Sequence, residues 1–310
     1  MSAWIDRQLP LGRETFLDHV GFFAADLAVA GQQAERLGFQ ISPVNLHQNA
    51  DATGALKPSG TSNRLIMLRR GFIEVLAATS DTPLADQLKQ GLARYAGLHL
   101  IALTREGIPG VRARLIEAGF KMQQVVNLRR HIPIDGQTHE VKWSVLRPEH
   151  GVMAEGRVQV CQCHTPETVW IDGRDKHANA ADGLTDLLVC VADRREAVAR
   201  YARYLGKHAM EQGGAAAFRL DRGGLLFVEP KEAARILPGF KAPPSFPFIA
   251  GQAMRSADLA ATRAALAQGG IKPVFASDTS VCVGPGDALG GYLLFHAPAV
   301  ADPWASLAAG

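Results

Sequence analysis

One order of elements recurs four times along the 310 residues: a short apolar strand, an amphipathic helix opened by an acidic residue and closed by glycine, then strand-like runs joined by glycine-containing turns. In the first copy Asp26 precedes Leu27, Ala30, Ala34 and Leu37, which share one helix face, and Gly38 ends the run. Asp193 and Glu196 stand at capping-box spacing before Val198, Tyr201 and Leu205, with Gly206 as the stop. Asp258 opens the fourth helix, whose Leu259, Thr262 and Leu266 precede Gly269. The second opens at Glu106 and Pro109, continues through Val111, Leu115 and Ala118, and stops at Gly119.

The strands before these helices cover residues 17–24, 98–104, 184–191 and 248–255. Seven residues before each opening acid stand His19, His99, Asp186 and Gly251. A doubly wound parallel sheet would need a further helix after every strand, whereas each helix here is followed by tight hairpins. The pattern therefore predicts an α+β fold of four βαβββ units. The length exceeds what one core usually supports, and 47% apolar residues supply enough for two. The expected halves are residues 14–170 and 184–300, with the apolar-poor stretch 166–183 between them. The polar stretch 42–59, with Pro43 and Pro58, reads as a surface loop.

Charge and composition narrow the partners. A formal charge of +3, with Lys and Arg scattered among Asp and Glu, argues against nucleic acid. No apolar run has the length of a membrane span, and the first 14 residues lack a signal-peptide pattern, so a cytoplasmic chain is expected. Cys161, Cys163, Cys190 and Cys282 lie in apolar runs without framework spacing and read as reduced core residues.

The first copy carries His19 in its opening strand and Glu74 in the run Arg70-Gly-Phe-Ile-Glu74. An imidazole and a carboxylate on two strands of one small sheet make half a metal site. Leu17-Asp-His-Val20 with the following Asp26-Leu27, the run Gly60-Thr-Ser-Asn-Arg64, and the Gly-Phe-Ile-Glu strand resemble the glyoxalase-like branch of the vicinal oxygen chelate superfamily. That superfamily includes glyoxalase I, bleomycin-resistance proteins and extradiol dioxygenases. The runs His164-Thr-Pro-Glu167 and His177-Ala-Asn179 share the resemblance more weakly.

The resemblance implies that the four units pair into two curled mixed-sheet halves, two units curling around a cleft, with metal ligands taken from the first and last strands of each unit. Carried over residue by residue, it assigns His19, Glu74 and His99, and leaves the last strand of the second unit without its Glu. Gln162 and His164 stand near that place, on one face of a strand whose other face carries Cys161 and Cys163. The Gln162 and His164 face is the one expected to meet the cleft. The implied cofactor is a divalent ion (Zn, Fe, Mn or Ni), with Glu74 as both ligand and catalytic group. In the second half the corresponding positions, including Leu294, hold no ligand set.

Two functions follow. One is a glyoxalase-like metal-dependent lyase, isomerase or dioxygenase acting on a small molecule chelated through vicinal oxygens. The other is a metal-free protein that binds or sequesters a small molecule in the manner of bleomycin-resistance proteins, with Phe22, Phe23, Phe72 and Trp143 as lining. A monomer or homodimer suits either. His47 is expected at the surface, and His177 as an anchor for the stretch between the halves.

Overall fold

The computed structural model describes residues 4–50, 56–134, 136–243 and 245–307. Its first unit runs β1 (Phe16–Phe23), α1 (Leu27–Arg36), β2 (Asn45–Ala50), β3 (Leu56–Met67) and β4 (Phe72–Ala78). After α2 (Pro83–Arg94) comes a second: β5 (Gly97–Thr104), α3 (Ile108–Glu117), β6 (Val126–Ile134), β7 (Gln137–Leu146) and β8 (Arg157–Cys163). The short α4 (Pro166–Val169) leads to β9 (Ala181–Cys190), α5 (Arg194–Leu205), β10 (Met210–Gln212), β11 (Ala215–Arg219), β12 (Gly224–Val228) and α6 (Pro230–Ile236). The last stretch is β13 (Phe248–Ser256), α7 (Leu259–Gln268), β14 (Phe275–Ala276), β15 (Ser280–Val283), β16 (Tyr292–His296) and a 3₁₀ helix, Trp304–Leu307.

The helices begin where capping chemistry puts them, with one exception. Asp26 accepts hydrogen bonds from the amides of Ala28 and Val29, Asp193 from Glu196, and Asp258 from Ala260 and Ala261. At α3 the capping residue is Gly107, not Glu106; its φ of +67° is a left-handed conformation that suits glycine. The polar stretch expected as a loop instead forms β2 and the start of β3, which pair antiparallel from Asn45 opposite Asn63; its residues 51–55 lie outside the described ones. Helix α2 was not expected, although Thr82 caps it and Pro83 occupies its first turn.

Each pair of units joins through its first strands. β1 pairs antiparallel with β5, β9 with β13, and every first strand pairs in parallel with the last strand of its own unit: β1 with β4, β5 with β8, β9 with β12, β13 with β16. The pairing of Ile249 with Leu98 connects the two halves into one continuous sheet, and isolated parallel bridges from Phe16 to Arg222 and from Arg70 to Gly183 join them again.

Strand alternation divides this sheet into two faces. Val20, Phe22, Ile73, Ile101, Leu103, Val158 and Val160 turn toward the helices and join residues of α1, α3, α5 and α7 in one core drawing on both halves. Phe23, Leu76, Leu100, Ala102, Val145 and Cys161 form a second cluster on the inner face of the first half.

Polar ties add to the shared core. Arg200 of α5 forms a two-pronged ion pair with the fully buried Glu155 of the β7–β8 loop. Arg114 of α3 donates to the carbonyls of Arg203 and Tyr204. His177 does anchor the connecting stretch: its Nε2 donates to the Met67 carbonyl at 2.7 Å, and its Nδ1 accepts from the Gln40 amide at 3.0 Å. Among the described residues no helix is long and apolar enough to cross a membrane.

Candidate functional site

The same irregularity precedes the corresponding position in each first strand. The β1–β5 register skips Asp18 on one strand and His99 on the other; the β9–β13 register skips Thr185 and Ala250. Each skipped residue is a β-bulge, which lets two consecutive side chains escape strict alternation. The residues immediately after the bulges are His19, Leu100, Asp186 and Gly251, each seven before the cap of its helix. Two residues further along, Gly21 pairs with Glu74, Ala102 with Gln159, Leu188 with Leu226 and Ala253 with Leu294. The true counterpart of His19 in the second unit is therefore Leu100, and that of Glu74 is Gln159.

This register corrects three expected ligands. His99 is the bulge residue one place early, because the count was taken from Glu106 when Gly107 is the cap. Its ring stacks on Tyr95 at 4.0 Å and on Phe23 at 4.8 Å, and its Nε2 donates to the Tyr95 carbonyl at 2.8 Å. Burial pushes its pKa down to about 4, so it is neutral near pH 7. Gln162 and His164 lie on the opposite face from the cleft, since Cys161 is on the inner face and Val158 and Val160 are on the helix side. His164 is exposed and meets the Ser144 hydroxyl at 2.9 Å.

His19 and Glu74 do come together. His19 Nε2 lies 4.0 Å from Glu74 Oε2, and Gln159 Nε2 lies 3.3 Å from the same imidazole nitrogen. Asp18, fully buried, meets His19 Nδ1 at 2.7 Å. Arg147 Nε donates to Gln159 Oε1 at 2.8 Å. One assignment of protons satisfies all three bonds: Arg147 donates to Gln159, Gln159 to His19 Nε2, and His19 Nδ1–H to Asp18. The unprotonated Nε2 thus accepts a long contact from Gln159 on the side of Glu74, the tautomer that a carboxylate on Nδ1–H enforces. Phe72 stacks on the imidazole at 4.2 Å, and Trp143 and Trp170 stand 6.3 and 6.1 Å from Phe72.

Glu74 is held in its ionised form. Burial alone would raise its pKa, but the His19 and His47 imidazoles, the Asn63 amide at 2.5 Å and Arg157 outweigh it and leave the pKa below the usual value. His47, expected at the surface, turns inward: Nδ1 meets the Thr61 hydroxyl at 2.9 Å, Nε2 is buried without a partner, and burial followed by Arg130 pushes its pKa down to about 4.

Three arginines from strands of the second unit and their flanks complete the surroundings: Arg130, Arg147 and Arg157. Each has its pKa lowered chiefly by burial, each feels the charge of Glu74, and none pairs with a carboxylate within 4 Å among the described residues. Sequence reasoning missed Asp18, Asn63, Gln159 and these arginines. The adjacent Asp-His pair was the one visible signal; the others needed the register.

The donor set does not fit a resident divalent ion. His19 and Glu74 are ligand types, but Gln159 turns its oxygen to Arg147 and Leu100 fills the fourth position with hydrocarbon. Among the described residues no group of three or more His, Cys, Asp or Glu side chains comes together as a metal cage. Guanidinium groups in the same cleft add repulsion against a dication.

The second half closes the equivalent space. Asp186 pairs with Arg219 at 2.6 Å, and Arg219 also reaches Asp302 at 3.5 Å. Trp304 of the 3₁₀ helix packs against Gly251 so closely that a Cβ there would lie 2.9 Å from the indole, and it joins Leu188, Ala253 and Leu294 in an apolar cluster. A surface groove of about 650 Å³ between α1 and α7 is lined by Arg36, Phe39, Lys176 and Gln268 and lies on the helix side of the sheet.

A sequence model described as a glyoxalase-like domain matches residues 17–205. A hypothetical protein from Staphylococcus aureus superposes with a TM-score of 0.62 at 12% identity, covering 91% of this chain and 99% of its own. A mutant of 4-hydroxymandelate synthase from Streptomyces coelicolor superposes with a TM-score of 0.58 at 13% identity, with 96% of each chain covered. A fusion of a xylose isomerase-like TIM barrel and a 4-hydroxyphenylpyruvate dioxygenase gives 0.57 at 12% identity, covering 98% of this chain and 53% of that one. No curated protein matches the sequence. These likenesses establish the mixed curled sheet of the vicinal oxygen chelate fold.

Proposed function

Because the chain belongs to the family of the glyoxalase-like domain, we propose that its first half is an enzyme site that moves a proton on a small, oxygen-rich organic anion without a resident metal. The observation that carries this reading is the buried chain from Arg147 through Gln159 and His19 to Asp18, which keeps His19 Nε2 unprotonated beside Glu74 with only the long 3.3 Å contact from Gln159 on it.

In this reading the substrate displaces the 3.3 Å Gln159 contact, His19 Nε2 takes a proton from carbon, and the electron pair released moves onto the neighbouring oxygen. Asp18 and the ionised Glu74 stabilise the imidazolium that forms. The guanidinium groups facing the cleft stabilise the oxyanion, where preorganised charge contributes most. The reaction class is an isomerase or lyase, and the proton returns from His19 to the product.

The test is exchange of the substrate C–H for deuterium, followed by NMR over a panel of small 2-oxo and 2-hydroxy carboxylates, together with elemental analysis of untagged protein. His19→Gln is expected to slow exchange by about 10²- to 10⁴-fold, the usual contribution of a positioned base. Unchanged exchange in that variant, or one equivalent of tightly held metal that is lost in His19→Ala and Glu74→Ala, would overturn the reading.

A sequestering role is the second reading, favoured by the aromatic surfaces of Phe72, Trp143 and Trp170 around one end of the cleft. It predicts that a planar ligand raises the melting temperature equally in wild type and His19→Gln, with no exchange in either.

A further inference from the structure

A separate cavity of about 260 Å³ opens beyond Arg147, between α2 and the β7–β8 loop. Its walls include Arg147, Arg157, His99, Gln87 and Gln123, with Glu149 exposed at its rim. We propose that this cavity seats an anionic group, a carboxylate or phosphate, carried by the same small molecule that His19 acts on. The proposal rests on the reading above for the identity of that molecule, while the cavity's affinity for anions stands on its own geometry.

Three observations support it. Arg147 and Arg157 face the cavity from neighbouring strand ends; among the described residues neither pairs with a carboxylate within 4 Å, Arg147 bonds to Gln159, and Arg157 bonds weakly to Gln87 at 3.4 Å. Two guanidinium groups so placed repel each other, and burial together with Arg147 pushes the Arg157 pKa down to about 10. An anion between them would offset this cost with charge-assisted, two-pronged hydrogen bonds.

The second observation is that the walls are held in place by groups other than these two arginines. Arg94 spends its guanidinium on Ser245 Oγ and the carbonyls of Ala154 and Pro247, fixing the β7–β8 loop and the passage before β13. Gly156 brings the same loop so near β5 that a Cβ there would lie 2.4 Å from the His99 carbonyl oxygen. The Arg157 charge is thus not required as a structural tie. Third, His99 donates through Nε2 to Tyr95, so its Nδ1 is an acceptor on the cavity wall, suited to a hydroxyl or a protonated phosphate oxygen.

The test is calorimetric titration at low ionic strength with inorganic phosphate and, separately, with benzoate. Binding to wild type at one site is expected. Arg157→Gln should weaken it by about tenfold or more, equal to about 1.4 kcal/mol. Arg157→Lys should recover part of it, and Arg129→Gln on the exposed face of β6 should leave it unchanged. A second measurement keeps the outcome clear if Arg157→Gln folds poorly: phosphate should shift the ring resonances of His99 in wild type, and not those of His131.

Equal weakening by Arg129→Gln, or an unmoved His99, overturns the cavity assignment. Anion binding that needs Arg157 and survives His19→Gln, without any deuterium exchange, keeps the cavity and removes the proton-transfer reading. Exchange that needs His19, without binding of either anion, does the reverse.

Discussion

The two halves of this chain share a frame and differ in what fills it. At the positions that follow the four bulges, and opposite the residues two further along, the first half places His19, Glu74, Leu100 and Gln159, whereas the second places Asp186, Leu226, Gly251 and Leu294. One cleft keeps polar groups facing open space; the other is stopped by Trp304 and an internal ion pair. The lesson is that the curled sheet needs neither set. Hydrogen-bond register and the apolar helix-side face build the fold, and the inner face is free to hold chemistry or packing.

The largest effect on the comparison should come from removing the stopper. Trp304→Ala deletes a side chain in a residue only 1% exposed and is expected to cost about 3–5 kcal/mol in urea unfolding. Anion binding in the first half should persist where the variant stays folded. A loss below 1 kcal/mol would mean that the second cleft is not held shut by packing.

Arg200→Met comes next. It leaves Glu155 as an uncompensated carboxylate in a residue with no exposed surface, at a cost of about 3 kcal/mol. The variant should also speed hydrogen exchange of the β7–β8 loop, which ties the second half to the cavity of the first.

A pH dependence of about 3 kcal/mol should belong to the second half. Burial pushes the Asp186 pKa up to about 6 despite Arg219, against an unfolded value near 3.8. The folded state therefore holds its proton where the unfolded chain has released it. This contribution is fully present below about pH 4 and is lost as the pH rises to about 6. Comparing wild type with Asp186→Asn across that range isolates it; a difference that grows in the opposite direction would refute the assignment.

The smallest effect tests the shared frame itself. Asp26→Ala and Asp258→Ala remove equivalent caps, each with two amide partners, and should cost about 1 kcal/mol apiece. Clearly unequal melting shifts would show that the halves are less alike than their registers suggest.

The repeated order of elements was legible because its signals are local: an acid that caps, a glycine that stops, and apolar residues at helical spacing. His19 and Glu74 were legible for a similar reason, since a parallel pairing within one unit brings them together. The remainder depended on one residue. An acid at 106 looks like a cap, while a glycine at 107 able to adopt positive φ is the cap, and the count moved from Leu100 to His99. The β8 face was misjudged because both of its faces carry candidate ligands, and only the partner strand decides which one looks inward. Arg130, Arg147 and Arg157 come from three places in the chain and carry no shared local pattern. Helix α2 was passed over although Thr82 and Pro83 mark its start.

The bulges bear on the history of the chain. A kink found at one place in all four opening strands, next to an imidazole, a leucine, a carboxylate and a glycine in turn, is most simply an inheritance from a single duplicated ancestor. Deleting Asp18 would restore plain alternation from Leu17 to His19 and take away the carboxylate behind the imidazole, with Val20 still on the helix side. Any lineage that kept the geometry was therefore free to rewrite its chemistry one side chain at a time.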